Sequence, residues 1–156
     1  IGPVGPIGPI GPVGPIGPIG PIGPIGPSLP FFFWGNANIG ASAGTRFITP
    51  GRDNSAVALT VDVAQVPIVR PGTLQRLYVR HNSASGNGNS VVYTVMVNGA
   101  ATGITVTLAT GAIGQISDLV NTLAVVAGDR VSLRATKAAT IAGGQVDIDA
   151  SLEIAY

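Results

Sequence analysis

Apolar residues in the second half of the chain recur at every second position, which is the spacing of strands that bury one face. The pattern predicts strands at Val57–Val63, Leu74–Arg80, Val91–Val97, Ile104–Leu108, Arg130–Thr136 and Gln145–Tyr156. A shorter segment, Arg46–Ile48, is also predicted as a strand, and we expect about eight strands in the whole domain. The last segment alternates over its whole length and is the longest apolar face in the sequence.

Two turn signals connect these strands. Asn98-Gly99 follows an alternating segment directly, and both residues tolerate a positive φ, so the pair predicts a tight hairpin. Gly128-Asp129 predicts a second turn before Val131 and Leu133, which we expect to point inward. Residues 111–126 are ambiguous between helix and strand, because glycines and β-branched residues interrupt any helical period. Residues 35–156 are therefore expected to form an all-β sandwich or jelly roll.

The N-terminal segment follows a different period. Glycine stands at every third position from Gly2 to Gly26, and proline follows each glycine up to Pro27. This composition is typical of the collagen triple helix, in which every third residue faces an axis where only glycine fits. A flexible linker has no need of so fixed a phase over nine triplets. We expect residues 1–27 to form a stalk of roughly 80 Å in a homotrimer.

The remaining position of each triplet is Ile or Val, and on a triple helix these side chains point outward. An exposed apolar surface of this extent indicates an interaction site. We expect Ile7, Ile10, Ile16 and Ile19 to contribute to assembly, through side-by-side bundling or through contact with the next trimer's head. No charged residue precedes Arg46, so ionic pairs cannot set the register of the stalk.

Residues 28–34 end in an aromatic cluster: Phe31, Phe32, Phe33 and Trp34. Aromatic rings gathered around one axis bury a large apolar area and would align three identical repetitive chains. We interpret this segment as a neck that joins the stalk to the head. The alternative is that the rings dock into a neighbouring trimer and build a fibre.

This organisation resembles collagen-like proteins with a C1q/TNF-like trimeric head, among them bacterial spore-surface filament proteins and some phage fibres. The resemblance is carried by the Gly-Pro-Ile/Val triplets, by Ala127–Leu133 (AGDRVSL), which is similar to that family's G-D-x-V-x-L turn and strand, and by Gln145–Tyr156. It implies a trimeric jelly-roll head and a location outside the cell, on a cell or spore surface or on a virion. The repeat lacks the threonines common in spore-surface relatives.

Composition limits the classes of partner. The net charge is +1 with eight basic and seven acidic residues, which disfavours binding to nucleic acid through its phosphates. Without cysteine the chain has neither a disulfide framework nor a thiolate metal site. We expect no membrane insertion, because proline and glycine interrupt the apolar N-terminal tract. The sequence begins at Ile1, so any targeting segment is not visible.

Candidate chemistry is weak. Gly40–Gly44 matches the G-x-S-x-G motif of esterases, and Ser42, Asp53 or Asp62, and His81 follow a triad order. The motif needs a following helix in an α/β sheet, which the sequence does not predict, so a loop of small residues is the favoured interpretation.

The remaining polar candidates point to structure. Asp147, Asp149 and Glu153 line the polar face of the last strand. They are candidate hard-cation ligands, but such carboxylates more commonly belong to a solvated strand face or form salt bridges, here to Arg130 or Arg134. His81 is expected at the surface or an interface, and one histidine cannot build a zinc site. Residues 85–89 indicate a solvent loop. Tyr78, with Arg76 and Arg80, fits a strand face at a subunit interface better than a sugar or peptide site.

These observations favour a structural protein without enzymatic activity, cofactor or bound metal. We expect a homotrimeric subunit of an extracellular filament, spore-surface layer or appendage, which associates with further copies of itself. The alternative is an adhesive or receptor-binding head on a collagen stalk. Self-assembly discriminates between them, because a structural subunit forms long filaments and a binding head remains a discrete trimer.

Overall fold

The computed structural model describes residues 1–20, 35–38, 44–48, 57–58, 64–82, 90–137 and 147–156. Eleven strands lie in these ranges: β1 Gly35–Asn38, β2 Gly44–Ile48, β3 Val57–Ala58, β4 Val66–Pro67, β5 Gly72–His81, β6 Val91–Val97, β7 Ala100–Leu108, β8 Gly114–Asp118, β9 Leu123–Val125, β10 Arg130–Lys137 and β11 Asp147–Ala155. Residues 1–20 form neither helix nor strand, and all of them are exposed.

The strands form two antiparallel sheets. Sheet A has the order β1-β11-β5-β8, and β9 continues the edge of β8 along β5. Sheet B has the order β3-β2-β10-β6-β7, with β4 on the same side of β10 as β2. Strands that are distant in sequence lie side by side, as in a sandwich with crossover connections rather than a simple meander.

The hydrophobic core lies between the two sheets. Its largest fully buried apolar side chains are Tyr93, Leu74, Leu77, Ile104, Ile148 and Ile154. They come from strands of both sheets, so neither sheet could bury its apolar face without the other.

A β-bulge in β5 shifts the alternation of that strand. Gln75 is paired with Glu153 and Tyr78 with Ser151, so two residues of β5 oppose a single residue of β11. Arg76, one of those two, has a φ of 52°, in the left-handed region. As a consequence Leu74 and Leu77 are both buried although they are three positions apart.

The two ends of the sandwich carry different features. Strand β1 runs antiparallel to β11. Gly35 is therefore the residue of β1 nearest to the end of sheet A that holds Gly72 and Ala155. We call this the proximal end, and it also carries the Asn98-Gly99 hairpin. The opposite, distal end holds His81, which is paired with Gly114 and Ile148.

Most sequence-predicted strands are confirmed. Val91–Val97 is a strand with those bounds, and the segments at 104–108 and 130–136 lie inside β7 and β10. The hairpin is confirmed as well, with φ values of 52° at Asn98 and 81° at Gly99. The ambiguous stretch at 111–126 contains β8 and β9 and no helix. Of the strand predicted at Val57–Val63, only Val57–Ala58 lies within the described residues.

The described head is therefore all-β and built from antiparallel sheets, as the alternation indicates. The jelly-roll assignment and the triple helix of the stalk stay predictions.

Candidate assembly surfaces

The isoleucines predicted to mediate assembly are fully accessible in the single chain. Ile7, Ile10, Ile16 and Ile19 are 99–100% exposed, and the valines at positions 4 and 13 are 98% exposed. The described part of the chain therefore leaves this apolar surface in solvent, where it is free to contact another chain.

The stalk glycines have open space around them. A Cβ added at any of the seven described stalk glycines, from Gly2 to Gly20, would meet no atom within 4 Å. None of them has a φ in the left-handed region, so the backbone conformation does not require glycine either. Nothing within the described single chain explains the strict glycine period.

The aromatic segment, Phe31 to Trp34, lies outside the described residues. Strand β1 begins at the next residue, Gly35, which is paired with Ala150 in the middle of β11.

The outer face of sheet A carries the three acidic residues singled out in the last strand, and all three are half-buried. Glu153 accepts hydrogen bonds from Arg76 at 2.9 Å and from Gln75 at 2.8 Å, and these bonds hold the pKa of its carboxyl below the ordinary value. Asp149 accepts a hydrogen bond from Asn82 Nδ2 at 2.8 Å. Glu153 forms its ion pair with Arg76 and not with the predicted Arg130 or Arg134, because the bulge brings Arg76 beside it.

No metal cluster is formed by these acids. Among the described residues, no group of three or more His, Cys, Asp or Glu side chains is placed to hold a metal ion. Tyr78 is half-buried on the same outer face, opposite Ser117 and Ser151.

His81 contradicts the expectation of a surface position. It is fully buried at the distal end of the core, where its Nε2 and the hydroxyl of Tyr93 are 2.5 Å apart. Burial lowers the pKa of His81 to about 4, so the imidazole is neutral at pH 7. Among the described residues, its Nδ1 atom has no hydrogen-bond partner. Because β5 and β6 belong to different sheets, this hydrogen bond ties the two sheets together.

Lys137 is a buried cation that sequence reasoning did not single out. It ends β10, directly opposite Val91 and Gly44, and only 2% of it is exposed. Burial, and then the nearby charge of Arg46, lower the pKa of Lys137 to about 8. The period-two alternation of β10 contained the signal, since Lys137 has the same parity as the inward-facing Val131 and Ala135.

Two aspartates hold loops at the edge of the sandwich. Asp118, at the end of β8, accepts hydrogen bonds from the backbone of Val120, Asn121 and Thr105. Burial raises the pKa of Asp118, but these bonds and one from the Asn121 side chain outweigh it and keep the pKa below its ordinary value. Thr105 lies on β7, so Asp118 also connects the edges of the two sheets.

Asp129 holds the turn before β10 by accepting hydrogen bonds. Its carboxylate accepts from the backbone N–H of Val126 at 2.8 Å and from Asn98 Nδ2 at 2.8 Å. The Asn98 side chain in turn accepts from the backbone N–H of Arg130. The hairpin and the turn are thereby locked to each other at the proximal end.

The remaining candidates fall outside the described residues: Ser42, Asp53, Asp62 and residues 85–89. With His81 buried beside Tyr93, the described residues bring no nucleophilic serine to it.

In the described part of the chain, no helix has the length and apolar character needed to cross a membrane. No protein-family model matches the sequence. No curated protein matches it either.

Proposed function

We propose that the protein is a structural subunit of an extracellular filament, surface layer or appendage. Three parallel chains form it, with a collagen-like stalk, an aromatic neck at residues 28–34 and a C1q/TNF-like jelly-roll head at residues 35–156. It carries no catalytic centre or cofactor, and its partners are further copies of itself.

The observation that carries the proposal is the combination of a strict glycine period with open space at each described stalk glycine. No contact among the described residues imposes a requirement for glycine at these positions, so a requirement from outside the chain accounts for it best. Close approach of two other chains around one axis supplies that requirement at every third residue.

The head is consistent with the same architecture. Sheets with the orders β1-β11-β5-β8 and β3-β2-β10-β6-β7, linked by crossovers, suit a double-sheet jelly roll. The buried core indicates a head with its own hydrophobic interior, which a stalk can display.

Filament formation follows from the stalk surface. The repeat carries nine Ile or Val side chains, and the seven that the structure describes are exposed. Burial of each contributes about 1.5–3 kcal/mol when complete. A contact between a stalk and a different surface of the next trimer does not close on itself, and it therefore propagates into a filament.

The mass of the purified full chain and its appearance in negative-stain electron micrographs test the proposal. We expect a trimeric mass, and long filaments at higher concentration. Gly14→Ala places three methyl groups at the axis and should weaken the trimer, whereas Ile16→Val keeps the register and should not. A monomeric or dimeric parent chain would refute the proposal, and discrete trimers that retain a ligand would favour the adhesive head.

A further inference from the structure

The tip of the hairpin between β6 and β7 is a chemically reactive pair of residues. Asn98 and Gly99 are both exposed, and asparagine is among the thermally labile residues of proteins. An asparagine side chain deamidates when the backbone nitrogen of the next residue attacks its amide carbon. Glycine has no Cβ to obstruct that attack, so the sequence Asn98-Gly99 favours the reaction.

The reaction needs only water as a co-reactant. The Gly99 nitrogen forms a bond to Asn98 Cγ, the Cγ–Nδ2 bond breaks, and ammonia leaves with the proton of the Gly99 N–H. Water then opens the resulting succinimide ring at one of its two carbonyl groups. The products are aspartate and isoaspartate, and in isoaspartate the main chain continues through Cγ.

The fold restrains the side chain that would be attacked. Asn98 Nδ2 donates to Asp129 Oδ1 at 2.8 Å, and Asn98 Oδ1 accepts from the backbone N–H of Arg130 at 2.9 Å. The backbone N–H of Asn98 donates to the carbonyl oxygen of Arg130 at 2.8 Å. Attack requires Cγ to align with the Gly99 nitrogen, so a side chain that is held against β10 should react slowly.

Of the two side-chain contacts, the one with Asp129 accounts for the restraint. Hydrogen bonds from Val126 N and Asn98 Nδ2 hold the pKa of Asp129 below its ordinary value of 3.8, so the acceptor is a carboxylate at neutral pH. A hydrogen bond to a charged acceptor is stronger than one between neutral groups. The Arg130 N–H, in contrast, polarises the Asn98 carbonyl group and by itself favours attack on Cγ.

We propose that Asn98 is a deamidation site whose rate Asp129 restrains, and that the product opens the junction between the hairpin and the turn before β10. Deamidation replaces the Nδ2 donor with a carboxylate beside the Asp129 carboxylate. Two negative charges at this separation repel each other, and the hydrogen bond between the two side chains is lost. The inference goes beyond the proposed function and does not depend on the oligomeric state.

The rate of deamidation at Asn98 tests the restraint. The full chain is incubated at mildly alkaline pH, both folded and unfolded in urea, and tandem mass spectrometry of its peptides follows the conversion of the Asn98 amide to a carboxyl group. We expect the folded chain to react more slowly by about tenfold or more, the factor that one hydrogen bond to a charged group supplies.

Variants assign the restraint to one residue. Asp129→Ala should remove most of the difference between the folded and unfolded chains, and Asp129→Asn, which keeps an acceptor without the charge, should give an intermediate rate. Asp118→Ala is the matched control, because it removes the carboxylate that holds the other loop and should leave the Asn98 rate unchanged. The strand signal in far-UV circular dichroism verifies that each variant is folded.

Asn98→Asp reproduces the aspartate product and tests its effect. In urea unfolding at fixed protein concentration, this variant should be less stable than the parent at pH 7. The difference should shrink at about pH 4, where protonation of one carboxyl group relieves the repulsion.

Each outcome decides one statement. Equal Asn98 rates in the folded and unfolded parent, a rate that Asp129→Ala leaves unchanged, or an equal acceleration by Asp118→Ala would overturn the restraint. An Asn98→Asp chain as stable as the parent at pH 7 would overturn the effect of the product. None of these results bears on the proposed function, which the mass of the parent chain tests.

Discussion

At the scale of single residues, the least expected feature is a set of ionisable side chains inside the sandwich. His81 and Tyr93 are fully buried and hydrogen-bonded to each other, and Lys137 is buried near the same distal end. Burying such groups disfavours their charged forms, which lowers the pKa of both His81 and Lys137. The stability of the head must therefore depend on pH through these residues.

We predict that acidification destabilises the head through His81. Its pKa of about 4 in the folded state lies below the ordinary 6.5, so the unfolded chain takes up the proton first. The stabilisation is complete above pH 6.5 and is lost as the pH falls toward 4. Between pH 7 and pH 5, the free energy of unfolding should fall by about 1–2 kcal/mol. Urea unfolding of the full chain at fixed protein concentration measures it.

His81 is the single histidine of the sequence, so no other imidazole titrates between pH 7 and pH 5. The carboxyl groups with lowered pKa, such as Asp118 and Asp129, lose their contribution only below their ordinary value of 3.8. His81→Leu is the control, since it removes the titrating group and should flatten the dependence. An equally steep fall in that variant would assign the acid sensitivity to another residue.

At the scale of elements, the fold depends on connections whose geometry a few residues determine. The Asn98-Gly99 hairpin, the Asp129 turn and the Asp118 loop are all held by side-chain oxygen atoms that accept backbone N–H groups. Each satisfies donors that a strand ladder leaves unpaired at its end.

We predict that Asn98→Ala costs about 1–3 kcal/mol of stability, because alanine disfavours the φ of 52° and removes the hydrogen bonds to Asp129 and Arg130. Asn98→Gly restores the backbone freedom without the side chain, so it should lie between the parent and the alanine variant. Equilibrium unfolding of the three chains measures the two contributions separately. Equal stability of the alanine variant and the parent would contradict this role of the hairpin.

A second element-scale prediction concerns Gly72 at the start of β5. A Cβ there would lie 2.8 Å from the carbonyl oxygen of Ala155 and 2.9 Å from Ile154 Cγ2. Gly72→Ala must therefore push β11 away, and we expect a loss of about 1–3 kcal/mol. Gly103→Ala is the matched control, because a Cβ at that position of β7 meets nothing within 4 Å. Equal melting temperatures of the two variants would contradict this prediction, because they would show that β11 moves without a loss of stability.

At the scale of the whole molecule, the described residues include an extended apolar surface that the single chain leaves uncovered. It is the line of Ile and Val side chains along the stalk. We propose that this surface forms the contacts between trimers.

We predict that Ile7, Ile10, Ile16 and Ile19 changed together to Gln abolish filament formation but leave the trimer intact. The substitutions keep every Gly-Pro pair, so the axis packing is unchanged, while the outward apolar surface is lost. Negative-stain microscopy and light scattering report the two levels of assembly. Changing the same positions to Val is the control and should preserve filaments. If the Gln variant assembles like the parent, the aromatic neck becomes the better candidate.

Salt should have little effect on these filaments, since the first 45 residues are uncharged and screening acts only on charges.

The sequence by itself determined the features that depend on local spacing. Period-two alternation located β6, β7, β10 and β11, because a strand half-buried in a sandwich must alternate. The Asn98-Gly99 pair determined a hairpin, because few residue pairs accept two positive φ values. The glycine period likewise predicted the stalk from local spacing, although a triple helix requires two further chains.

Only the tertiary structure decided where His81 lies. Counted by simple alternation from the buried Leu74, position 81 falls on the outer face of β5. The bulge at Arg76 inserts one residue and turns Leu77, Val79 and His81 inward. The bulge depends on pairing with β11, which lies some seventy residues further along the chain. The burial of His81 also depends on its contact with Tyr93 of β6, a strand of the opposite sheet. The burial of His81 depends on these distant neighbours, so the local alternation of β5 could not specify it.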